Sequence, residues 1–78
     1  MAGQRGIYAR RIVARNVRRL RGARHMNQEE LADAARLSQS QVSKIETAKL
    51  NFKLDVAQRL AGALGVRIAE LFDDAKRK

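Results

Sequence analysis

The side chains able to do chemistry in this 78-residue chain are narrow in kind. His25 is the single histidine and there is no cysteine. A zinc site of the usual composition and a disulfide are therefore not expected. The serines cluster around a helix cap, where a hydroxyl serves the backbone. The acids fall at helix starts or in Asp73-Asp74, with no enclosed pair for general acid–base work. These residues predict no enzyme, no metal and no cofactor. What the chain has in excess is positive charge: 17 lysines and arginines against 8 acids, a formal net charge of +9. Such a balance suits a polyanion, nucleic acid first and anionic lipid second.

The elements that position these charges follow from periodicity. Residues 1–7 contain Gly3, Arg5 and Gly6 without a repeat, and read as a flexible basic arm. From Tyr8 to Arg24, Ala9, Val13, Val17 and Leu20 recur three or four apart, the spacing of one helical face. The first 24 residues hold eight arginines and no acid, which resembles a mitochondrial transit peptide. The serines of such a peptide are missing, however, and the Val13–Val17–Leu20 stripe is needed by the core. No apolar run approaches the ~20 residues of a membrane span. The expected location is cytoplasmic and nucleoid-associated, with no membrane contact. The competing picture is a basic amphipathic helix lying on a membrane surface. It predicts no helicity without lipid.

Two capping boxes divide the middle of the chain. Asn27 with Glu30 starts a second helix, and Ser38 with Gln41 starts a third; each pair has the spacing that satisfies two orphaned amides reciprocally. Glu29 and Glu30 also suit the positive end of the second helix's dipole. Leu31, Ala32 and Ala35 supply one buried face, Val42 and Ile45 the next. The boxes begin eleven residues apart, which confines the second helix to about eight residues and the turn to about three, the span of a helix-turn-helix. Thr47 to Lys53 reads as a loop. Leu54, Ala57, Leu60, Ala61 and Leu64 mark a fourth helix, closed by Gly65 as a left-handed cap with Val66 beside it. Ile68, Leu71 and Phe72 make a short fifth helix. The organisation is thus an arm at 1–7, one domain at 8–73 and a basic tail at 74–78.

The run Asn27 to Glu46, NQEELADAARLSQSQVSKIE, resembles the helix-turn-helix of Cro/cI-type (lambda-repressor-like, XRE) regulators. The likeness extends from Val13 through LAGALGV (Leu60 to Val66) to Ala69-Glu70-Leu71-Phe72. It implies an all-α, five-helix lambda-repressor-like fold and a transcriptional regulator that binds a double-stranded DNA operator. By this resemblance Gln28 meets a phosphate through its side chain and amide, as the free N–H groups of a helix start permit. Ser38, Gln39 and Ser40 open the recognition helix, where side chains reach base edges. Gln39 is the foremost base reader, its amide suiting adenine; Ser40 and Lys44 also face the groove, and a lysine suits guanine. Asn27, Ser38, Gln41 and Ser43 are expected at phosphates, as are Thr47, Lys49 and Asn51 in the following loop. Arg5, Arg10 and Arg11, which the family does not fix, are expected to extend the electrostatic footprint as an arm. Arg21 and Glu46 resemble the family's structural ion pair.

Two departures from the family pattern stand out. Arg36 occupies a turn position usually held by glycine. Ala48 and Phe52 replace the glycine and proline that often follow the third helix. Leu50 and Phe52, two apolar residues in one loop, read as part of a dimer surface together with the fifth helix. A homodimer on an inverted repeat is expected, with occupancy set by concentration rather than by a ligand-binding domain. Glu29 and Asp33 match places where lambda-type repressors touch RNA polymerase, although dipole compensation and solvent exposure also account for them. The alternative from another class is an antitoxin that binds DNA and a protein toxin; copurification of a neighbouring gene's product would favour it.

Overall fold

A computed structural model describes the backbone of residues 2–49 and 51–74 and the side chains of 8–49 and 51–74. Five helices follow one another: α1 Ala2–Ala23, α2 Gln28–Ala35, α3 Gln39–Glu46, α4 Leu54–Leu64 and α5 Ile68–Leu71. No strand occurs among the described residues. The core is aliphatic. Val13 and Val17 of α1 meet Leu31, Ala32 and Ala35 of α2, Val42 and Ile45 of α3, Ala57, Leu60, Ala61 and Leu64 of α4, and Leu71 of α5. Leu20, Met26, Leu37 and Val66 pack around this cluster, half-buried.

The first helix is longer than its periodicity suggests, starting at Ala2 rather than Tyr8. Gly3 and Gly6 each disfavour helix by about 1 kcal/mol relative to alanine, but extending a packed helix adds one hydrogen bond per residue without a new nucleus. Its apolar stripe is also placed differently. Ala9 is exposed, whereas Ile12, Ala14 and Asn16 are buried beside Val13 and Val17. Leu54, expected on the inner face of α4, is 70% exposed because it precedes the core-facing turn that begins at Ala57.

Four helices end in the left-handed region, and three of them do so without glycine: His25 (φ 58°), Arg36 (φ 61°), Ala48 (φ 60°) and Gly65 (φ 72°). At each, the next N–H reaches back to the carbonyl five residues earlier: Met26 to Arg21 (3.1 Å), Leu37 to Ala32 (2.8 Å), Lys49 to Lys44 (2.8 Å) and Val66 to Ala61 (2.9 Å). This is the Schellman pattern, and Leu37 and Val66 add its usual apolar contact.

The polar side chains of α1 complete the other helix ends. Asn16 Nδ2 donates to the carbonyls of Leu71 (2.8 Å) and Asp73 (3.0 Å) at the end of α5. Arg18 donates to the Glu46 carbonyl at the end of α3. Arg24 Nη1, just past α1, donates to the Leu64 carbonyl at the end of α4 (3.2 Å). The last carbonyls of a helix have no partner inside it, and a cation there also opposes the negative end of the dipole. Side chains of α1 and of the residue after it thus bind the carbonyl ends of three other helices.

Candidate nucleic-acid interface

Both capping boxes form. Asn27 Oδ1 accepts from the Glu30 N–H (2.7 Å), and Glu30 Oε1 accepts from the Asn27 N–H (2.8 Å). Ser38 Oγ accepts from the Gln41 N–H (3.0 Å), and Gln41 Oε1 accepts from the Ser38 N–H (2.9 Å). In each case the side chain acts as acceptor. The Asn27 and Gln41 amide NH2 groups and the Ser38 hydroxyl proton stay available as donors, which is what a phosphate requires.

The boxes start α2 and α3 sharply, and the Arg36–Leu37–Ser38 turn sets α3 across α2. Val42, Ile45 and Glu46 face inward, while Gln39, Ser40, Gln41 and Lys44 are exposed. Ser43 is half-buried. Gln39, at the first position of α3, makes no side-chain hydrogen bond among the described residues, and neither do Ser40 and Lys44. The Gln39 amide thus presents a donor and an acceptor side by side. Between Asp33 and Asp55 the sole acid is Glu46, and it is 2% exposed. The outer face of α3 and the loop after it carry Lys44, Lys49 and Lys53, all exposed, with no exposed carboxylate.

Arg21 and Glu46 make a two-pronged ion pair, Nε to Oε2 at 2.6 Å and Nη2 to Oε1 at 3.0 Å. Hydrogen bonding to Glu46, opposed by burial and aided by its charge, holds the guanidinium above its ordinary pKa. Arg21 Nη1 also donates to the Met26 carbonyl (2.9 Å), tying the α1–α2 turn to the same centre. The pair is structural: it joins α1, the start of α2 and the end of α3.

Several of the expected phosphate ligands are otherwise occupied. Gln28 Nε2 donates to Glu46 Oε1 at 2.9 Å, so its side chain belongs to the buried network rather than standing free at the surface. What α2 offers an anion is the Gln28 and Glu29 N–H groups, which have no backbone partner at the start of a helix. Thr47 Oγ1 donates to the carbonyls of Ser43 (2.9 Å) and Lys44 (3.3 Å). With its proton engaged, that hydroxyl has only lone pairs to offer, which an anion does not accept. Asn51 Oδ1 accepts from Arg10 Nη1 at 2.5 Å, leaving its NH2 as a donor. Lys49 is exposed. Phe52, expected at a dimer surface, is half-buried and packs against the core; Leu50, Arg5 and the tail from residue 75 onward lie outside the described side chains. The Gln28–Glu46, Arg18–Glu46 and Arg10–Asn51 contacts escaped sequence reasoning. One signal for Arg18 was present, its position one helical turn before Arg21.

Among the described residues there is no cluster of His, Cys, Asp or Glu fit to hold a metal ion, and no helix is long and apolar enough to cross a membrane.

Two short capped helices across a tight turn, the second with an outward polar face, define a helix-turn-helix DNA-binding domain. A family model for helix-turn-helix proteins matches residues 17–71, and the chain belongs to that family, in its Cro/cI-type (XRE) branch. It is a DNA-binding transcriptional regulator. Among solved structures it is similar to a hypothetical transcription factor, NHTF, from Neisseria (34% identity, 83% of this chain and 75% of that one, TM-score 0.81). It is also similar to the restriction-modification controller protein C.AhdI from Aeromonas hydrophila (33% identity, 81% and 96%, TM-score 0.79). The clp gene regulator ClgR from Corynebacterium glutamicum shares the fold at 24% identity (81% and 82%, TM-score 0.75). No curated protein matches the chain by sequence.

Proposed function

We propose that the chain reads a specific operator by laying α3 in the major groove. Gln39, Ser40 and Lys44 would contact bases; Asn27, Ser38, Gln41, Ser43, Lys49 and Asn51 would hold phosphates, with Gln28 acting through its backbone N–H. The observation that carries this reading is the outward, unengaged set Gln39–Ser40–Lys44 on a helix whose other face is locked into the core. An eight-residue helix is about 12 Å long, close to the ~12 Å width of the groove. The start of α2 and the loop after α3 then meet the two bordering strands.

A single module of this size makes few base contacts, so two copies on an inverted repeat are proposed, half-site centres about 34 Å or a multiple apart. Tyr8, Leu54 and Phe72 are the large apolar residues left exposed in the described part (52%, 70% and 44%). The exposure of Leu54 and Phe72 supports α5 and the start of α4 as the dimer surface. The regulator would work in the cytoplasm as a repressor or autoregulator. Selection of bound duplexes from a random pool at stated salt tests the whole reading. A symmetric consensus that Gln39→Ala degrades is expected; a pool without consensus, or one unaltered by Gln39→Ala, refutes it.

A further inference from the structure

We propose that Arg10 and Arg11 form a second phosphate-binding site on α1, gripping the strand that borders the half-site read by α3. This rests on the major-groove reading above. The site lies outside the stretch that matches the family, which begins at residue 17. It is carried by a helix rather than by a loose arm, and the neighbouring Ile12 and Val13 are buried, so its position is fixed relative to α3.

The other arginines described along α1, and Arg24 after it, are engaged within the protein. Arg15 pairs with Asp74, Arg18 and Arg21 hold Glu46, Arg19 reaches Asn16 Oδ1, and Arg24 caps α4. Arg11 is exposed and has no such partner. Arg10 bonds a neutral amide, Asn51 Oδ1, which places its guanidinium against the loop leaving the end of α3. Arg10 is half-buried, its Nε is closed off from water with no hydrogen-bond partner, and it forms no ion pair among the described residues. A buried donor and a cation without a counter-charge are both costly. Lys53 lines the same cleft as Arg10 and Asn51, and no acid does. Arg10 thus lacks a counter-anion, and the Nη end of its guanidinium, rather than the enclosed Nε, matches a phosphodiester. The loop that holds it is the one α3 would bring to the bordering strand.

The test is binding of the full chain to its selected operator and to a scrambled duplex, followed by fluorescence anisotropy across a fourfold salt range. Each phosphate contact contributes about 0.9 to the slope of log K against log salt. Arg10→Gln/Arg11→Gln should make the slope shallower by about 1.8 per bound subunit, so that the affinity lost across that range shrinks about 12-fold. Operator and scrambled duplex should be affected alike. Arg11→Gln alone, at an exposed site, should remove about half of that slope change and serves if the double variant does not fold. Arg59→Gln/Arg67→Gln removes the same charge elsewhere on the exposed surface. A wild-type slope in the α1 variants, or a change no larger than in this control, overturns the proposal. Gln39→Ala, measured in parallel, judges the underlying reading separately: it should lose operator preference and keep its slope.

Discussion

Arg36 and Ala48 hold a backbone conformation that L-residues avoid, and replacing them with glycine should raise stability. Both have φ near +60°, the carbonyl–Cβ clash region. The left-handed conformation costs a residue with a Cβ roughly 1–2 kcal/mol. Glycine escapes that clash but loses more freedom on folding, by about 0.5–1 kcal/mol. The net gain for Arg36→Gly or Ala48→Gly is then about 0.5–1 kcal/mol each. The two sites lie in different turns and share no partner, so their effects should add. For a domain of this size about 1 kcal/mol moves Tm by roughly 4–8 °C, which thermal unfolding followed by circular dichroism resolves easily. Arg36→Asn separates backbone from charge, because asparagine tolerates this region better than most residues. Gly65→Ala is the mirror experiment. It imposes the same strain at φ 72° and brings the new Cβ to 2.6 Å from Arg24 Nη1, the group that caps α4. Tm should fall there and rise at Arg36 and Ala48. Unchanged or lower Tm values for both glycine variants would show that these turns are not strained and that the reasoning is wrong.

Glu46→Ala leaves Arg21 without its partner in a part-buried site and removes an acceptor for Gln28; a loss of about 3–5 kcal/mol is expected, read as a large drop in the denaturation midpoint. Tyr8 is the single tyrosine, and its hydroxyl donates to Asp74. That hydrogen bond, then desolvation and the Asp74 charge, raise its pKa above 10.0. The contact is therefore fully present below pH ~10 and lost as pH rises through the higher folded value, so alkaline absorbance titration should show a late midpoint that Asp74→Asn moves back toward the ordinary one. Thr47→Val should lower Tm modestly, by removing the back-bond to Ser43, and leave the salt slope of DNA binding unaltered. Lys49→Ala should do the reverse, reducing that slope by about 0.9 per subunit. A loss of affinity for Thr47→Val at fixed salt would show that the Thr47 hydroxyl does turn to phosphate, and a wild-type slope for Lys49→Ala would show that Lys49 does not.

The features legible in the sequence are those set within a few residues. A capping box joins residues three apart, so Asn27–Glu30 and Ser38–Gln41 could be read directly, together with the short helices they start. Apolar spacing located the faces of α2, α3 and α4, and Gly65 its own turn. The ion pair of Arg21 with Glu46 was accessible through family resemblance and a dipole argument. Which arginine serves which helix end was not. The partners of Asn16, Arg18 and Arg24 lie far along the chain and are chosen only when α1 packs across the ends of α5, α3 and α4. The same holds for Gln28, drawn inward by a carboxylate on another helix, and for Leu54, whose face depends on where α4 meets the core. The early start of α1 has another cause: glycines at 3 and 6 argue locally against helix, but a helix already formed extends through them without a new nucleus. Short-range hydrogen bonds and periodicity are encoded in neighbouring residues. The pairing of a long, mobile cation with one carbonyl among many is decided by which backbone ends the fold brings within its reach.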